Sequence, residues 1–165
     1  MRAARNTIIS GTGVLDSNDE KLMALAIEQA RLAAADGEVP VGAIAVIDGT
    51  VIAVAHNRPI ALDDPTAHAE MLALREAGRK LHRYRLSGLT MYVTIEPCVM
   101  CIGGLVNARV SRIVFGARDD KTGAAGSVYD IGRDGRLNHT IEIAGGLLAD
   151  ECAAVMREFF RDRRK

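Results

Sequence analysis

The sequence contains no tryptophan, and it has only four prolines and three cysteines among 165 residues. Aromatic residues make up 4% of the chain, so a folded core must consist mainly of aliphatic side chains. Three cysteines are too few for a disulfide framework, which indicates a reducing compartment, and we expect the cytoplasm. The sequence also lacks an apolar run long enough to span a membrane, which excludes membrane-spanning proteins as a class.

Neither sign of charge is in excess, because 21 basic residues balance 21 acidic residues. A protein that coats nucleic acid without specificity is usually basic, so any polyanion must be held by a local positive cluster. Hydrophobic residues make up 48% of the sequence, which is typical of a globular protein and excludes a disordered chain. The length suits one domain with a substantial core.

The first sixteen residues differ from the rest of the chain. They carry two arginines and no acidic residue before Asp16, which gives them some likeness to a transit peptide. A short flexible tail is the simpler interpretation. The sequence therefore predicts a flexible tail over residues 1–16 and a single domain over residues 17–165, without internal repeats or a linker.

Turn signals and apolar periodicity divide the domain into helices and strands. Ser17 to Glu20 resembles a capping box, and the apolar spacing after it predicts a helix that ends at Gly37. Asp48-Gly49 favours a two-residue hairpin turn. The predicted strands are 41–47, 50–55, 90–95, 112–115 and 141–143, and the later helices are 67–79, 98–107 and 149–163. This order predicts a three-layer α/β/α domain with a five-stranded mixed sheet.

Two segments are predicted to be loops. Residues 57–65 hold two prolines and two aspartates, which favours an irregular segment. Residues 116–139 form a long glycine-rich stretch, and a loop of that length in a compact domain is usually functional. Its glycines resemble those of a phosphate-binding loop, but the Gly-Lys-Ser/Thr ending of such a loop is missing.

Two short motifs carry the chemistry, H-x-E at residues 68–70 and P-C-x-x-C at residues 97–101. Cys98 and Cys101 are spaced so that both thiols can reach one metal ion, and His68 offers a third ligand. Zinc takes four ligands, so three protein ligands leave one position for water, as in a catalytic site. The Glu70 carboxylate would lie beside that water and could move protons. The motifs predict a hydrolytic site with one Zn²⁺ per chain.

The spacing of the motifs also constrains local structure. Two residues in a regular helix that are two positions apart point to nearly opposite sides. His68 and Glu70 can face one metal only if His68 lies in an irregular first turn. Cys98 and Cys101 are expected at the N-terminus of a helix, where the positive end of the dipole favours thiolate over thiol.

Other interpretations of the two cysteines are less satisfactory. A lone C-x-x-C is often a redox pair or half of a structural zinc knuckle. A redox pair has no use for H-x-E, and a structural site needs a fourth protein ligand. The other cysteine and histidines are isolated, namely Cys152, His56, His82 and His139. Cys152 is predicted to be a buried apolar residue, and His56 could be either a packing group or a support for the metal site.

H-x-E together with P-C-x-x-C is the signature of zinc nucleobase deaminases. The chain resembles the cytidine deaminase-like superfamily and, within it, the bacterial tRNA-specific adenosine deaminases. The likeness runs from about residue 18 to the C-terminus, and it departs at residues 1–16 and 128–137. The matching blocks are 38–42, 56–60, 64–70, 92–101, 115–119, 121–127, 138–139 and 159–161. The two metal motifs identify only the superfamily, whereas block 121–127 and the basic C-terminus favour the tRNA branch.

The resemblance implies a cytidine deaminase-like fold and hydrolysis of adenosine to inosine at the wobble position of a tRNA anticodon. It implies that His68, Cys98 and Cys101 bind Zn²⁺ and that Glu70 shuttles protons. Asn57 would hold the flipped base or its ribose, and Asp119 would line the anticodon pocket. The implied substrate-binding residues are Asn57, Asp119, Lys121, Phe160, Arg161 and Arg163. A homodimer is also implied, and two glycines within residues 102–106 would let a partner approach closely.

The alternative enzyme is a free nucleobase or nucleoside deaminase of the guanine or cytosine type. Such an enzyme needs a closed small pocket and has no need for a basic C-terminus, here Arg161, Arg163, Arg164 and Lys165. Phe159 and Phe160 beside that cluster suit packing of the last helix better than base stacking. A binding subunit without catalysis would be expected to lack the glutamate, and Glu70 is present.

Overall fold

The structure is a computed structural model that describes residues 15–164. Its strands are β1 (Gly42–Ile47), β2 (Thr50–His56), β3 (Leu89–Ile95), β4 (Arg112–Ala117) and β5 (Glu142–Gly145). They form one sheet in the order β2-β1-β3-β4-β5. β1 is antiparallel to β2 and β3, whereas β3, β4 and β5 run parallel. This confirms the predicted five-stranded mixed sheet.

The helices are α1 (Ser17–Ala35), α2 (Pro59–Leu62), α3 (Ala69–Leu81), α4 (Val99–Asn107) and α5 (Ala149–Arg163). Helices α1 and α5 share one hydrophobic cluster with one face of the sheet. Helices α3 and α4 share a second cluster with the opposite face. The predicted three-layer α/β/α fold is therefore confirmed. Within residues 15–164, no helix has the length and apolar character needed to cross a membrane.

The apolar run of β1 is buried on both faces. Ala43 and Ala45 pack toward α3 and α4, while Ile44 and Val46 pack toward α1 and α5. The two faces alternate because successive side chains of a strand point to opposite sides. Asp48 (φ 50°) and Gly49 (φ 74°) both have positive φ, as a primed hairpin turn requires.

Helix α1 begins at Ser17, which was predicted to be its cap, and the residue that caps it is Asp16. The Asp16 side chain accepts the N–H of Asp19, and the Asp19 side chain accepts the N–H of Asp16. The predicted box of Ser17 and Glu20 is therefore wrong by one residue. Aspartate is as good a cap as serine, so the local pattern did not decide between the two registers.

A buried ion pair explains why the capping box forms between Asp16 and Asp19. This register places the Asp19 side chain in the protein interior. Asp19 is 4% exposed, and it accepts hydrogen bonds from the Tyr92 hydroxyl (2.6 Å) and the Arg112 guanidinium (3.0 Å). Burial acts to raise the pKa of Asp19, but the hydrogen bonds from these two groups hold it below the usual value. The network ties α1 to β3 and β4.

Several predicted segments differ from the structure for physical reasons. Of the predicted tail, residues 1–14 lie outside the described residues, whereas Leu15 packs against the core and Asp16 caps α1. The predicted loop over 57–65 contains the single turn α2, which has a proline at its first position. The last strand begins at Glu142 and extends to Gly145 because it pairs with β4 through Phe115.

Candidate active site

The two motifs meet at the carboxyl ends of β3 and β4, where α3 and α4 begin. His68 is the N-cap of α3 with extended backbone (φ −71°, ψ 151°), so it lies outside the regular helix. Cys98 is the N-cap of α4 (φ −77°, ψ 175°). Both N-caps therefore place a ligand at the positive end of a helix dipole, as the motif spacing required.

The other two residues lie in the first turns of the same helices. Glu70 is in the first turn of α3 and is 4% exposed. Cys101 is in the first turn of α4 and is fully buried. The non-helical backbone at His68 lets it face the same side as Glu70, which a regular helix would not allow.

The three predicted ligands form a compact group. His68 Nδ1 lies 3.6 Å from Cys98 Sγ and 3.5 Å from Cys101 Sγ. Zinc bonds of about 2.3 Å to sulfur and about 2.0 Å to nitrogen place tetrahedral ligands roughly 3.5–3.8 Å apart. In residues 15–164, this is the one group of histidine, cysteine and acidic residues found with metal-binding geometry. The donor set fits one Zn²⁺, with nitrogen and sulfur ligands that suit this metal.

Proton sharing within the group favours metal binding. The hydrogen bond with Cys101 lowers the pKa of Cys98 to about 4, despite burial. The same hydrogen bond, together with burial, raises the pKa of Cys101, because the two sulfurs share one proton. The hydrogen bond to Cys98 raises the pKa of His68. A thiolate is thus present at neutral pH, and thiolate is the form that binds metal.

Glu70 is a buried carboxyl group beside the three ligands. Burial raises its pKa to about 7, against the opposing effects of its own backbone N–H and of His68. A group with a pKa near the working pH can both accept and release a proton. This suits the predicted proton shuttle.

Asn57 fixes the start of α3. It is 6% exposed, and its Oδ1 accepts the N–H of Ala69 at 2.8 Å. The Arg58 N–H also bonds to the Ala67 carbonyl at 3.0 Å, so the end of β2 holds the segment that carries His68. Asn57 lines the cavity as well, and the resemblance had implied only that second role.

A cavity of about 370 Å³ opens beside the motif residues, and the side chains of His68, Glu70 and Cys98 are part of its wall. The other walls come from the segment after α1, from α2, from the loop after β4 and from α5. The residues in those walls include Glu38, Val39, Asn57, Ile60, Asp119, Thr122, Met156, Phe159, Phe160 and Arg163. The structure thus brings Asn57, Asp119, Phe160 and Arg163 to one cavity with the metal ligands.

Two buried carboxylates that motif reasoning left without a role support these walls. Glu38 is 2% exposed and accepts the backbone N–H groups of Ile60 (3.3 Å) and Ala61 (2.8 Å). It therefore holds α2, whose Ile60 is 70% exposed and lines the cavity. Glu96 holds the loop after β4 in a similar way. Neither pairing is visible in sequence, because the partners are 22 or more residues apart.

Asp119 is anchored within its own loop. Its Oδ1 accepts the N–H groups of Lys121 (2.9 Å) and Thr122 (3.1 Å), and its Oδ2 accepts the Thr122 hydroxyl (2.7 Å). Burial acts to raise the pKa of Asp119, but these hydrogen bonds hold it below the usual value. Hydrogen bonds to carboxylates therefore organise the glycine-rich loop.

A second, larger cavity of about 1040 Å³ lies beside the first. The two share Val39, Ile95, Asp119, Thr122, Met156 and Phe160. The larger cavity, here called the basic groove, contains five cationic residues and two acidic ones, Arg118, Lys121, Arg157, Arg161, Arg164, Asp119 and Asp120. Lys121 and Arg161 thus lie in the groove and not in the smaller cavity.

Phe159 and Phe160 were predicted to pack α5 against the core, and the structure differs from this prediction at Phe160. Phe160 is 42% exposed and lies where the two cavities join, so its interpretation as a core anchor is wrong. Amphipathic packing of α5 buries Cys152 and Val155 instead. Arg163 stacks on the Phe159 ring at 4.3 Å and donates a hydrogen bond to the Gly37 carbonyl.

His56, whose role the sequence left open, and Cys152 both have partners other than the metal ligands. The ring nitrogens of His56 contact Gln29 and Asp36, each at 3.2 Å, so His56 joins β2 to α1. Cys152 is 1% exposed, which confirms the prediction of a buried apolar residue.

Comparison with known proteins agrees with this geometry. Residues 16–117 match the model of the cytidine and deoxycytidylate deaminase zinc-binding region. The tRNA-specific adenosine deaminase of Haemophilus influenzae is 47% identical over 148 residues, which cover 89% of this chain and 86% of that protein. A solved structure from studies of A-to-I editing by tRNA deaminases at the wobble position has 41% identity and a TM-score of 0.79. That alignment covers 82% of this chain and 98% of the other.

A guanine deaminase from Nitrosomonas europaea is more distant, with 28% identity and a TM-score of 0.72. Its alignment covers 94% of this chain and 88% of that chain. The match to the zinc-binding region covers both metal motifs, and the relatives cover most of the chain. The chain therefore belongs to the zinc-dependent cytidine and deoxycytidylate deaminase family, in the branch of the tRNA-specific adenosine deaminases.

Proposed function

We propose that this protein hydrolyses adenosine to inosine at the wobble position of a tRNA anticodon. The relatives at 47% and 41% identity are deaminases that act on tRNA. The observation that carries the proposal is the junction between the two cavities. A small cavity over the catalytic side chains suits one nucleotide, and the basic groove beside it suits the flanking phosphates.

Zinc held by His68, Cys98 and Cys101 would lower the pKa of a water molecule toward neutrality. The Glu70 carboxylate accepts a proton from the attacking water and delivers it to the ring nitrogen of adenine. As C6 loses its amine, Glu70 transfers the second proton to the leaving group. The products are inosine and ammonia. Because Glu70 is buried, this proton transfer is shielded from bulk solvent.

The adenine base must leave its stack to enter the cavity, which costs a few kcal/mol and least in a single-stranded loop. Asn57 has its oxygen bonded to Ala69, so its amide nitrogen is the group available to the substrate. Asp119 lies at the rim, between the cavity and the groove. We propose substrate contacts for Asn57, Asp119, Lys121, Phe160, Arg161 and Arg163.

The free-base alternative is not favoured. A guanine deaminase is similar in fold, but its identity to this chain is 28%, against 41% for the tRNA deaminase structure. A free base also carries no phosphate, so it would make no use of the basic groove.

The deciding experiment supplies the purified protein with a tRNA that carries adenosine at the wobble position. We expect inosine in that tRNA, and no reaction with a matched tRNA whose only adenosines lie elsewhere. Guanine, cytosine and free adenosine are tested in parallel. Rapid release of ammonia from a free base, with no inosine in tRNA, would assign the protein to the alternative activity.

We further propose that the protein is a homodimer and works in the cytoplasm. On α4, Gly103 has no atom within 4 Å of an added Cβ, and Val99 is 47% exposed, so this face can accept a partner. Gly104 does not support the proposal of a dimer, because its space is used by Met71 of the same chain. Light scattering should give twice the monomer mass at micromolar concentration.

The proposal of a cytoplasmic location rests on the cysteines. The free thiols of all three suit a reducing compartment.

A further inference from the structure

Glu96 is a buried carboxylate in the wall of the catalytic cavity, beside the segment that carries Cys98. It follows β3 directly and stands two residues before Cys98. It is 3% exposed, and it takes no part in the proposed proton transfer. The hydrogen-bond donors to its carboxylate all lie in the loop after β4, residues 118–127, here called the rim loop.

Both oxygens of Glu96 accept two hydrogen bonds from the rim loop. Oε1 accepts the N–H groups of Ala125 (3.0 Å) and Ser127 (2.9 Å). Oε2 accepts the N–H of Asp119 (3.0 Å) and the hydroxyl of Ser127 (2.5 Å). Because all four partners donate, the site requires acceptors at both positions, which a carboxylate provides and a carboxamide does not.

Backbone contacts bring the rim loop against the segment that carries the metal ligands. The Ala124 N–H bonds to the Pro97 carbonyl at 2.8 Å, and Cys98 forms an isolated bridge with Gly123. A Cβ added to Gly123 would stand 2.5 Å from the Glu96 carboxyl carbon and also 2.5 Å from the Asp119 carbonyl oxygen, so only glycine fits between the two residues. The rim loop is therefore packed directly on the catalytic segment.

Glu96 and Thr122 hold Asp119 from opposite sides. Glu96 accepts its backbone N–H, while Thr122 donates to its carboxylate. Asp119 and Thr122 both line the catalytic cavity and the basic groove. We propose that Glu96 is a positioning residue that sets the place of Asp119 relative to the metal ligands, and thereby the binding of the substrate nucleotide. The inference rests on the proposed function, which supplies the substrate.

The Glu96→Gln variant tests this with little change in volume. If the new NH₂ replaces Oε2, Ser127 can reverse its hydroxyl and accept, and the Asp119 N–H is the donor left without an acceptor. The opposite orientation would leave two backbone donors unpaired, which costs more. We expect the KM for tRNA to rise roughly five- to tenfold, with kcat and zinc content near wild type.

Ser127→Ala is the matched control. It removes one hydrogen bond to Oε2 and the exposed hydrogen bond from Arg118 Nε (3.1 Å), but it leaves the Asp119 N–H bonded. We expect its KM to stay within about twofold of wild type. Equal changes in KM for the two variants would overturn the proposal, because they would indicate a general weakening of the loop.

A second variant keeps the test informative if Glu96→Gln fails to fold. Gly123→Ala crowds the Glu96 carboxylate and the Asp119 carbonyl oxygen together, so it disturbs the contact between these two residues and changes no hydrogen-bonding group. We expect the same rise in KM with zinc retained. A wild-type KM in a folded Gly123→Ala protein, or a loss of zinc that accounts for the change, would overturn the proposal.

Amide hydrogen exchange measured by NMR separates this inference from the proposed function. Glu96→Gln should speed exchange at the Asp119 amide more than at the Ala125 and Ser127 amides. This measurement needs no substrate. If wild-type protein makes no inosine in tRNA, the proposed function fails, while exchange at Asp119 still tests the positioning. Unchanged exchange at Asp119 would overturn the positioning itself.

Discussion

The catalytic cavity has two halves that are built in different ways. In the metal half, His68 and Glu70 stand at the start of α3, and Cys98 and Cys101 stand at the start of α4. Each pair consists of an N-cap residue and a first-turn residue of one helix, so the backbone of that helix start sets the distance between the two side chains. Local sequence therefore fixes most of the relative placement of these side chains.

The recognition half is assembled from segments that are remote in sequence. Glu38 holds α2, Glu96 holds the rim loop, and Arg163 joins α5 to Gly37 across 126 residues. The surfaces of the recognition half are formed by loops and by the exposed face of one helix. The comparison indicates that the chemistry is carried by rigid helix starts, whereas substrate choice depends on long-range polar contacts. Changes in the metal half should reduce kcat or zinc content, and changes in the recognition half should alter KM.

The largest effect is expected from loss of a metal ligand. Cys101→Ala removes a fully buried sulfur from the three-ligand group, so zinc content should fall well below one per chain and activity should be lost. Metal analysis measures the zinc content, and an assay of inosine formation measures the activity. Cys152→Ala is the matched control, since that thiol is buried elsewhere and should leave zinc content at wild-type level. Full zinc content in Cys101→Ala would mean that another residue completes the site.

Loss of the proton shuttle should be nearly as severe. Glu70→Gln is expected to retain zinc and to reduce kcat by about 10²–10⁴, which is the usual contribution of general acid–base catalysis. Single-turnover kinetics with saturating tRNA measure the chemical step. Glu96→Gln provides the contrast, because its change should appear in KM. Near-normal turnover in Glu70→Gln would show that a different group moves the proton.

The basic groove should affect binding alone. Replacing Arg157, Arg161 and Arg164 by alanine should weaken tRNA binding, because fewer phosphates are then neutralised by the protein. The slope of log K against log salt should fall by about 0.7–0.9 for each phosphate that the variant no longer binds. Fluorescence anisotropy across a salt series measures this.

The control for the groove variant removes the same charge from another surface. Arg79, Arg83 and Arg85 lie at and beyond the C-terminal end of α3, roughly 15–20 Å along the helix from His68. Replacing them by alanine should leave the salt slope unchanged. Equal slopes for the two triple variants would mean that net charge, and not the groove, governs binding.

The smallest effect is expected at the tie between α5 and the segment after α1. Arg163→Ala removes the stacking on Phe159 and the hydrogen bond to Gly37, and it should cost about 1 kcal/mol, or ~2–4 °C in Tm. Thermal unfolding monitored by circular dichroism measures it. Arg163→Lys keeps the charge but not the planar contact, so it should lose most of the same stability.

A wild-type Tm in Arg163→Ala would show that this tie contributes nothing to stability. The attachment of the recognition half would then depend on its other contacts, among them those of Glu38 and Glu96. A larger loss in Arg163→Lys than in Arg163→Ala would contradict the interpretation of the contact as a planar stack.

Local patterns along the chain were enough to predict the five-stranded mixed sheet, the three layers and the metal-binding residues. Apolar periodicity located α1 and α5, and Asp48-Gly49 located the hairpin. The motif spacing required an irregular turn at His68, which is its N-cap position in the structure. These features follow from interactions within a few residues, or from burial patterns that repeat along one element.

The surroundings of the metal site depend on contacts between segments that are far apart in the sequence. The capping register of α1 depends on Arg112, 93 residues away from Asp19. The exposure of Phe160 depends on where α5 meets the cavity, which its adjacent aromatic residues do not encode. The roles of Glu38 and Glu96 arise because buried carboxylates must find donors, and those donors are backbone N–H groups that carry no sequence signal.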